Sequence, residues 1–127
     1  MNYPSILGIG DVLMRPKCFG FVQHRGVFLG GNAVITNTPD RGEHLATVDE
    51  FSAGERITPH RSGANPLDVL APGQRILAHP RKYDPIFRNC EHTASELTDG
   101  KAKSPSLTFV VVLAATIGVI YALTRRS

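Results

Sequence analysis

The sequence predicts an α+β domain, in which a small antiparallel sheet is packed with helices, followed by a C-terminal transmembrane helix. Two β-branched and aromatic runs, Phe21–Leu29 and Ala33–Thr36, are separated by Gly30-Gly31-Asn32, which is typical of a hairpin turn. Helix-start signals follow these runs, and a charge-free apolar run lies near the C-terminus. We therefore divide the chain into a domain over residues 1–106 and a transmembrane helix over residues 107–124.

Short-range signals give the order of the first elements. The apolar run Gly10–Met14 predicts a strand ahead of the hairpin. The segment Thr47-Val48-Asp49-Glu50 has the form of a capping box that opens a short helix, and Gly54 ends that helix. Residues 55–66 predict a loop that holds one strand at most.

Two more helices are predicted before the C-terminal run. Pro72 suits the first turn of a helix that continues to about Ala78, and Pro80 stops it. Asn89 starts another helix that continues through about Leu97. Residues 101–106 then form a linker.

The run Leu107–Leu123 is charge-free and almost wholly apolar. As a helix it would span roughly 26 Å, against a hydrocarbon core of about 30 Å, which is the lower limit for a membrane span. A buried core helix would need a polar face, which this run lacks. We therefore expect a single-pass membrane protein. Because Met1–Leu13 does not resemble a signal peptide, the expected form is tail-anchored, with residues 1–100 in the cytoplasm.

The charge balance argues against a nucleic-acid partner. The net charge is +3, and two of the 14 basic residues, Arg125 and Arg126, stand at the C-terminus. Residues 1–106 thus carry 12 basic and 11 acidic groups. Because no stripe of lysine and arginine is interleaved with aromatic residues, we expect no nucleic-acid binding.

The two cysteines are Cys18 and Cys90. A small secreted domain usually carries more cysteines, so a disulfide between them is not favoured. We expect a reducing compartment in which both thiols are free. Cys18 lies in a loop before the first hairpin strand and is interpreted as a bystander.

Cys90 is the candidate nucleophile. Asn89 is a strong N-cap residue type, which places Cys90 at the first position of a helix. Free backbone N–H groups and the positive end of the helix dipole stabilise a thiolate there. The backbone N–H of Cys90 is also the first candidate for an oxyanion donor. The alternative is that Cys90 is a small buried apolar residue, which is the commoner role of a lone cysteine.

His24 is the candidate general base. It lies in the first hairpin strand, and a neutral imidazole within reach of Cys90 would take the thiol proton. The nearby Gly26 would permit the close approach of another backbone or of a substrate. The alternative is that His24 is a surface residue of the strand.

No cofactor and no metal are expected. The remaining histidines show neither H-E-x-x-H nor paired C-x-x-C spacing, and Gly8-Ile9-Gly10 lacks the rest of a phosphate-binding motif. These histidines are His44, His60, His79 and His92.

Several segments together resemble the lecithin:retinol acyltransferase (LRAT) family. They are Gly10-Asp11-Val12-Leu13, the strand His24-Arg25-Gly26-Val27-Phe28-Leu29-Gly30, Thr36-Asn37-Thr38-Pro39, Tyr83, and Asn89-Cys90-Glu91-His92. The block around Cys90 is the most specific of them. The resemblance covers about Gly10 to Ser106.

The resemblance implies a circularly permuted papain-like fold and a thiol acyltransferase or phospholipase that works through a cysteine thioester. It assigns Cys90 as nucleophile and His24 as base, and several family members carry a C-terminal membrane helix. Tyr83 matches a family tyrosine that could position the nucleophile or the oxyanion, with a half-buried loop tyrosine as the alternative. His92 belongs to the family block and is interpreted as structural.

Two positions depart from the family pattern. Thr36 stands where the family has a second histidine that orients the base, and a threonine hydroxyl can accept only one neutral hydrogen bond from the imidazole. If Gly30-Gly31 were a two-residue turn, the strand register would instead place Asn37 opposite His24, so Asn37 is the alternative third residue. Thr93 stands where the family usually has an aromatic residue.

Three functions remain open from the sequence. The leading hypothesis is an acyltransferase or hydrolase that acts on a lipid-like ester or amide at a membrane surface. The second is a papain-like amidase or peptidase. The third is a non-catalytic, membrane-tethered adaptor whose catalytic triad has degraded, and Thr36 is the feature that favours it.

Overall fold

The computed structural model describes residues 6–17, 22–84, 88–100 and 105–125. Cys18 therefore lies outside the described residues. The described part forms one five-stranded antiparallel sheet and four helices, so the predicted α+β class is confirmed. The elements are β1 (Val12–Lys17), β2 (Val22–Gly30), β3 (Ala33–Thr38), β4 (Gly42–Thr47), α1 (Val48–Ser52), β5 (Thr58–His60), α2 (Pro66–Ala78), α3 (Cys90–Asp99) and α4 (Pro105–Arg125).

The strands lie in the order β4-β3-β2-β1-β5. The hairpin of β2 and β3 forms where the sequence predicts it, but its register differs from that of a Gly30-Gly31 two-residue turn. Gly26 pairs with Thr36, and an irregularity lies between Phe28 and Gly30. Gly30 and Gly31 adopt positive φ angles of 101° and 59°, which only glycine adopts readily. Gly30 pairs with Ala33, so the two turn residues are Gly31 and Asn32, and Asn37 does not lie opposite His24.

Helices cover both faces of the sheet. Successive residues of a strand point to opposite faces, so neighbouring positions enter different cores. One core, on the α1 face, consists of Leu13, Phe28, Val34, Val48, Phe51 and Ile57. The other, on the face covered by α2 and α3, consists of Val27, Ile35, Val69, Ile76, Ala94 and Leu97. We call these two sides the α1 face and the α3 face.

The helix starts agree with the sequence signals except in α2. Thr47 and Glu50 form the predicted capping box of α1, and Asn89 caps α3. The helix α2 begins at Pro66 with Asn65 as its N-cap, so the predicted start at Pro72 is wrong and Pro72 lies inside the helix. Asn65 followed by proline at the first position supplies a complete start signal earlier in the chain.

The helix α4 contains the predicted transmembrane run, and its described side chains, over residues 110–125, are all exposed. Within the ranges given above, however, no helix combines the length and the apolar character that crossing a membrane requires. The predicted transmembrane helix and the predicted tail-anchored localisation are therefore wrong. The charge-free run reaches roughly 26 Å, which is less than the thickness of about 30 Å that a span must cover.

Candidate functional site

The first turn of α3 is fixed by a reciprocal cap. The Asn89 Oδ1 accepts hydrogen bonds from the amides of Glu91 (2.9 Å) and His92 (3.1 Å). The His92 Nδ1 accepts in return from the Asn89 amide at 3.0 Å. Histidine thus fills the place that glutamate or glutamine takes in a usual capping box. This arrangement makes Cys90 the first residue of α3, as predicted, and a positioning role of Asn89 towards an oxyanion stays a prediction.

The protonation of His92 suits this cap. Burial, followed by the positive charge of Arg88, lowers the pKa of His92 below its usual value. The ring is therefore neutral near pH 7, and its Nδ1 keeps the lone pair that accepts from Asn89.

Thr36 is hydrogen-bonded to His24. The Thr36 Oγ1 lies 3.0 Å from the His24 Nε2, and the same hydroxyl donates to the carbonyl of Arg25 at 2.9 Å. The Thr36 hydroxyl has a single proton, and it donates this proton to the Arg25 carbonyl. Towards His24 the hydroxyl oxygen is therefore the acceptor, and the His24 Nε2–H is the donor. The neutral imidazole then carries its free lone pair on Nδ1. This tautomer is the opposite of the one expected for the family arrangement, in which Nδ1–H would be held and Nε2 would face the thiol.

His24 is neutral because of its surroundings. Burial, with smaller contributions from the charges of Arg15 and Lys17, lowers the pKa of His24 from 6.5 to about 3. The ring stacks on Phe51 of α1, with 5.3 Å between the ring centroids. Arg15 fixes that phenylalanine, because its Nε donates to the Phe51 carbonyl at 2.6 Å. The imidazole therefore belongs to the α1 face.

Cys90 belongs to a different layer of the molecule. Its helix α3 packs on the opposite face, where Ala94 and Leu97 meet Val27 and Ile35. Cys90 is only 2% exposed. No hydrogen bond within the described ranges joins its sulfur to His24 or to Thr36. The structure thus joins Thr36 to His24 by a hydrogen bond, and the pairing of Cys90 with His24 stays a prediction.

Asn37 also faces α3. Its Nδ2 donates to the Arg88 carbonyl at 3.0 Å and to the Thr93 Oγ1 at 3.2 Å. Asn37 is therefore a partner of the α3 N-terminus, and the residue that contacts the His24 ring is Thr36. Adjacent residues of β3 serve opposite faces, as strand geometry requires.

A buried charge network, which the sequence did not reveal, holds α3 against β4. The Glu43 side chain is fully buried, and its Oε1 accepts from the Arg81 amide (2.9 Å) and Nε (2.7 Å). Its Oε2 accepts from the Arg81 Nη2 (3.0 Å) and from the Thr93 Oγ1 (2.8 Å). Four hydrogen bonds offset the cost of burying this carboxylate. Thr93, which stands where the LRAT family usually has an aromatic residue, thus donates one of the four hydrogen bonds to Glu43.

The network continues to the surface through Glu96. The Glu96 Oε2 accepts from Arg81 and from Arg88, each at 2.6 Å. Burial alone would raise the pKa of Glu96, but its hydrogen bonds and charge pairing with Arg81 and Arg88 lower it overall. The hydrogen bond to Glu43 raises the pKa of Arg81 despite burial. Arg81 and Glu96 therefore both stay charged near pH 7.

Tyr83 is half-buried in the segment that leads to α3. It precedes Asp84, whose amide donates to the Arg88 carbonyl at 2.8 Å and whose carbonyl accepts from the Arg88 amide at 2.9 Å. Residues 85–87, between these two, lie outside the described residues. The positioning role of Tyr83 stays a prediction.

In the described ranges, no group of three or more histidine, cysteine, aspartate or glutamate side chains could hold a metal ion. Two pockets, one between the sheet and α3 and one beside α2, have neither Cys90 nor His24 among the residues that line them. A scan of protein-family models and a search of curated proteins find no match to the chain.

Proposed function

We propose that this chain is a non-catalytic binding module built on a permuted papain-like fold similar to that of the LRAT family. One observation carries the proposal: the His24 imidazole packs on the α1 face, whereas α3, which begins at Cys90, covers the other face. A general base must come within about 3.2 Å of the proton that it removes, directly or through one water. The His24 ring and the helix α3 pack on opposite faces of the sheet, which argues against that proton transfer.

The burial of Cys90 supports the same proposal. Acyl transfer requires a substrate carbonyl to reach the sulfur, and only 2% of Cys90 is exposed. A thiol in that position serves as a small apolar side chain at the start of a capped helix. The Asn-Cys-Glu-His block then owes its form to helix capping by Asn89 and His92.

The surface of α4 supports a role in binding. Its described large apolar side chains are between 48% and 64% exposed, namely Val110, Val111, Val112, Leu113, Ile117, Val119, Ile120, Tyr121 and Leu123. A contiguous exposed apolar surface of this kind marks an interaction site. The proposed module therefore combines a folded domain with an apolar interaction helix.

Acylation of Cys90 tests the proposal. The full chain is incubated with p-nitrophenyl hexanoate, and p-nitrophenol release and the intact mass are followed. We expect no burst of p-nitrophenol and no hexanoyl adduct on Cys90, with release rates equal to those of Cys90→Ser. An adduct on Cys90 that forms in the parent and fails to form in His24→Gln would overturn the proposal.

The second candidate is a cysteine-dependent acyltransferase or hydrolase that acts through a thioester on a lipid-like ester or amide. The position of Cys90 at the first residue of α3 and the fixed tautomer of His24 favour it. In this reaction the His24 Nδ1 takes the Sγ proton, the thiolate attacks the carbonyl, and the Cys90 N–H stabilises the oxyanion. The leaving group takes the proton, and water or an acceptor alcohol then cleaves the thioester. This candidate requires His24 and Cys90 to meet on one face, and the adduct experiment decides between the two.

A further inference from the structure

The pocket beside α2 lies where the last two turns of that helix meet the buried charge network. Its volume is about 280 Å³, which is close to the lower limit for ligand pockets. The residues that line it are Pro72, Arg75, Ile76, His79, Arg81 and Glu96. We propose that this pocket, called the α2 pocket below, binds a small organic monocarboxylate, that is, a carboxylate attached to a compact apolar group. The inference goes beyond the proposed function and does not depend on Cys90 or on α4.

Two basic side chains at the end of α2 have no acidic partner. Arg75 lies in the last turn of the helix, His79 is its C-cap, and both are exposed. Neither side chain makes a hydrogen bond or an ion pair in the part of the chain that the structure describes. The C-terminal end of a helix carries roughly half a negative elementary charge, so the full positive charge of Arg75 outweighs it. The helix side of the α2 pocket is therefore positive.

Arg81 supplies a donor on the other side of the pocket. Its Nε and Nη2 are used by Glu43 and Glu96, at distances between 2.6 and 3.0 Å. Its Nη1 carries two N–H groups and makes only a contact of 3.5 Å with the Glu96 Oε1. The side chain is 39% exposed, so Nη1 can bind a further acceptor. A carboxylate is the acceptor that guanidinium groups bind most strongly, together with phosphate.

The carboxylate in the pocket wall, Glu96, is already paired. Its Oε2 accepts from Arg81 and from Arg88 at 2.6 Å, and Arg81 is also paired with Glu43. Three guanidinium groups, including that of Arg75, thus stand against two carboxylates, which leaves one formal positive charge in excess. One excess charge suits a monoanion, whereas a dianion such as sulfate would add a second negative charge next to Glu96.

The apolar part of the wall selects an organic anion. Pro72 and Ile76 are four residues apart on α2, and both line the pocket. Residues at this spacing lie on one side of a helix, so the two side chains form one apolar surface beside Arg75. An apolar group of the ligand gains free energy by covering this surface, and an inorganic anion has no such group.

Titration of the full chain with benzoate tests the inference, with the backbone amides followed by NMR. We expect a dissociation constant in the millimolar range, with shifts centred on the amides of Ile76, His79 and Arg81. The variants Arg75→Gln and Arg75→Glu change an exposed position and endanger the fold little. Arg75→Gln should weaken binding by roughly fivefold, because one exposed charge pair is lost. Arg75→Glu should abolish detectable binding, because it reverses the charge.

The matched control is Arg61→Gln, because Arg61 is also exposed and lines the pocket between the sheet and α3 instead. This variant is expected to bind benzoate like the parent. Benzamide has the same shape without the charge, acetate keeps the carboxylate without the ring, and sulfate is an inorganic dianion. All three should bind more weakly than benzoate. The inference is overturned if benzoate does not shift these amides, if any of the three binds as tightly as benzoate, or if Arg75→Glu binds benzoate like the parent.

Discussion

The two faces of the sheet bury polar groups in different ways. On the α1 face, His24 and Thr36 form a neutral pair beside an aromatic ring. On the α3 face, Glu43 and Arg81 form an ion pair within a network that reaches the surface through Glu96. Histidine can shed its charge at neutral pH when it is buried, whereas arginine cannot. On the α1 face, the buried titratable group is therefore neutral. On the α3 face, the buried carboxylate is paired with a guanidinium.

The largest effect is expected for Glu43→Ala, which breaks the pairing on the α3 face. The change leaves the Thr93 hydroxyl and part of Arg81 without an acceptor and creates a cavity in place of a fully buried side chain. We expect a loss of about 3 kcal/mol in the free energy of unfolding, with Arg81 recovering some hydration because it is partly exposed. Urea denaturation measures it. The control is Glu55→Ala at an exposed position, and an equal, small loss in both variants would contradict the network.

Next in size is Gly26→Ala, which tests the packing of the α1 face. An added Cβ would lie 2.6 Å from the Val34 Cγ1 and 2.9 Å from the Phe51 Cε2. Overpacking of this kind costs about 2 kcal/mol. The matched control is Gly8→Ala, whose Cβ would find ordinary contacts at 3.7 Å. A Gly26→Ala protein as stable as its parent in thermal unfolding would show that the α1 face is looser than described.

The hydrogen bond on the α1 face is tested by Thr36→Val, with an expected loss of about 1.5 kcal/mol. The variant leaves the His24 Nε2–H buried without an acceptor at nearly constant volume. In a double-mutant cycle, Thr36→Val and His24→Gln should couple, because the two residues are partners. Thr36→Val and Asn37→Ala should add to within about 0.5 kcal/mol, because these residues share no partner across the sheet. The reverse pattern of coupling would place Asn37, and not Thr36, beside His24.

The effect that is smallest near neutral pH is the pH dependence that His24 contributes. The pKa of His24 is about 3 in the folded chain and 6.5 in the unfolded chain. Between these two pH values only the unfolded state binds a proton on the imidazole. Stability should therefore fall as the pH decreases from about 6.5 towards 3, by at most about 1.4 kcal/mol per pH unit. Above pH 6.5 this contribution is constant.

The variant His24→Gln should remove that dependence from denaturation curves recorded between pH 7 and pH 4. Some dependence will persist, because the pKa of His92 is lowered as well and the sign of its contribution is the same. His79→Gln, at an exposed position, serves as the control. Parallel stability profiles for the parent and for His24→Gln would show that His24 titrates normally in the folded chain.

Elements whose formation depends on nearby residues were predicted correctly from local signals. The hairpin, the cap of α1 and the start of α3 at Cys90 all rest on residues within a few positions of one another. The start of α2 was missed because Pro72 was interpreted as a first-turn residue, although Asn65 and Pro66 offer the same signal earlier.

Features that depend on distant parts of the chain could not be obtained in this way. The turn at Gly31-Asn32 and the irregularity next to Gly30 together set the strand register, and no local pattern fixes them. Which face of the sheet receives α1 and which receives α3 decides whether His24 meets Cys90, and this choice depends on packing over the whole domain. The Glu43–Arg81 pair joins positions 38 residues apart, so it leaves no trace in local spacing. The charge-free run near the C-terminus suggested a membrane span because its length lies at the lower limit for a span, where apolar composition alone does not decide.

The buried carboxylate of Glu43 has a consequence for how sequences of this type can diverge. Asn37, Arg81 and Thr93 each complete its surroundings, so none of them can change alone without leaving a polar group unpartnered. An aromatic residue at position 93 would provide no hydrogen bond to Glu43, so it favours an apolar residue at position 43. Without Glu43, Arg81 would lose its buried acceptor. In an alignment of relatives, positions 37, 43, 81 and 93 should therefore change together, as one inherited unit.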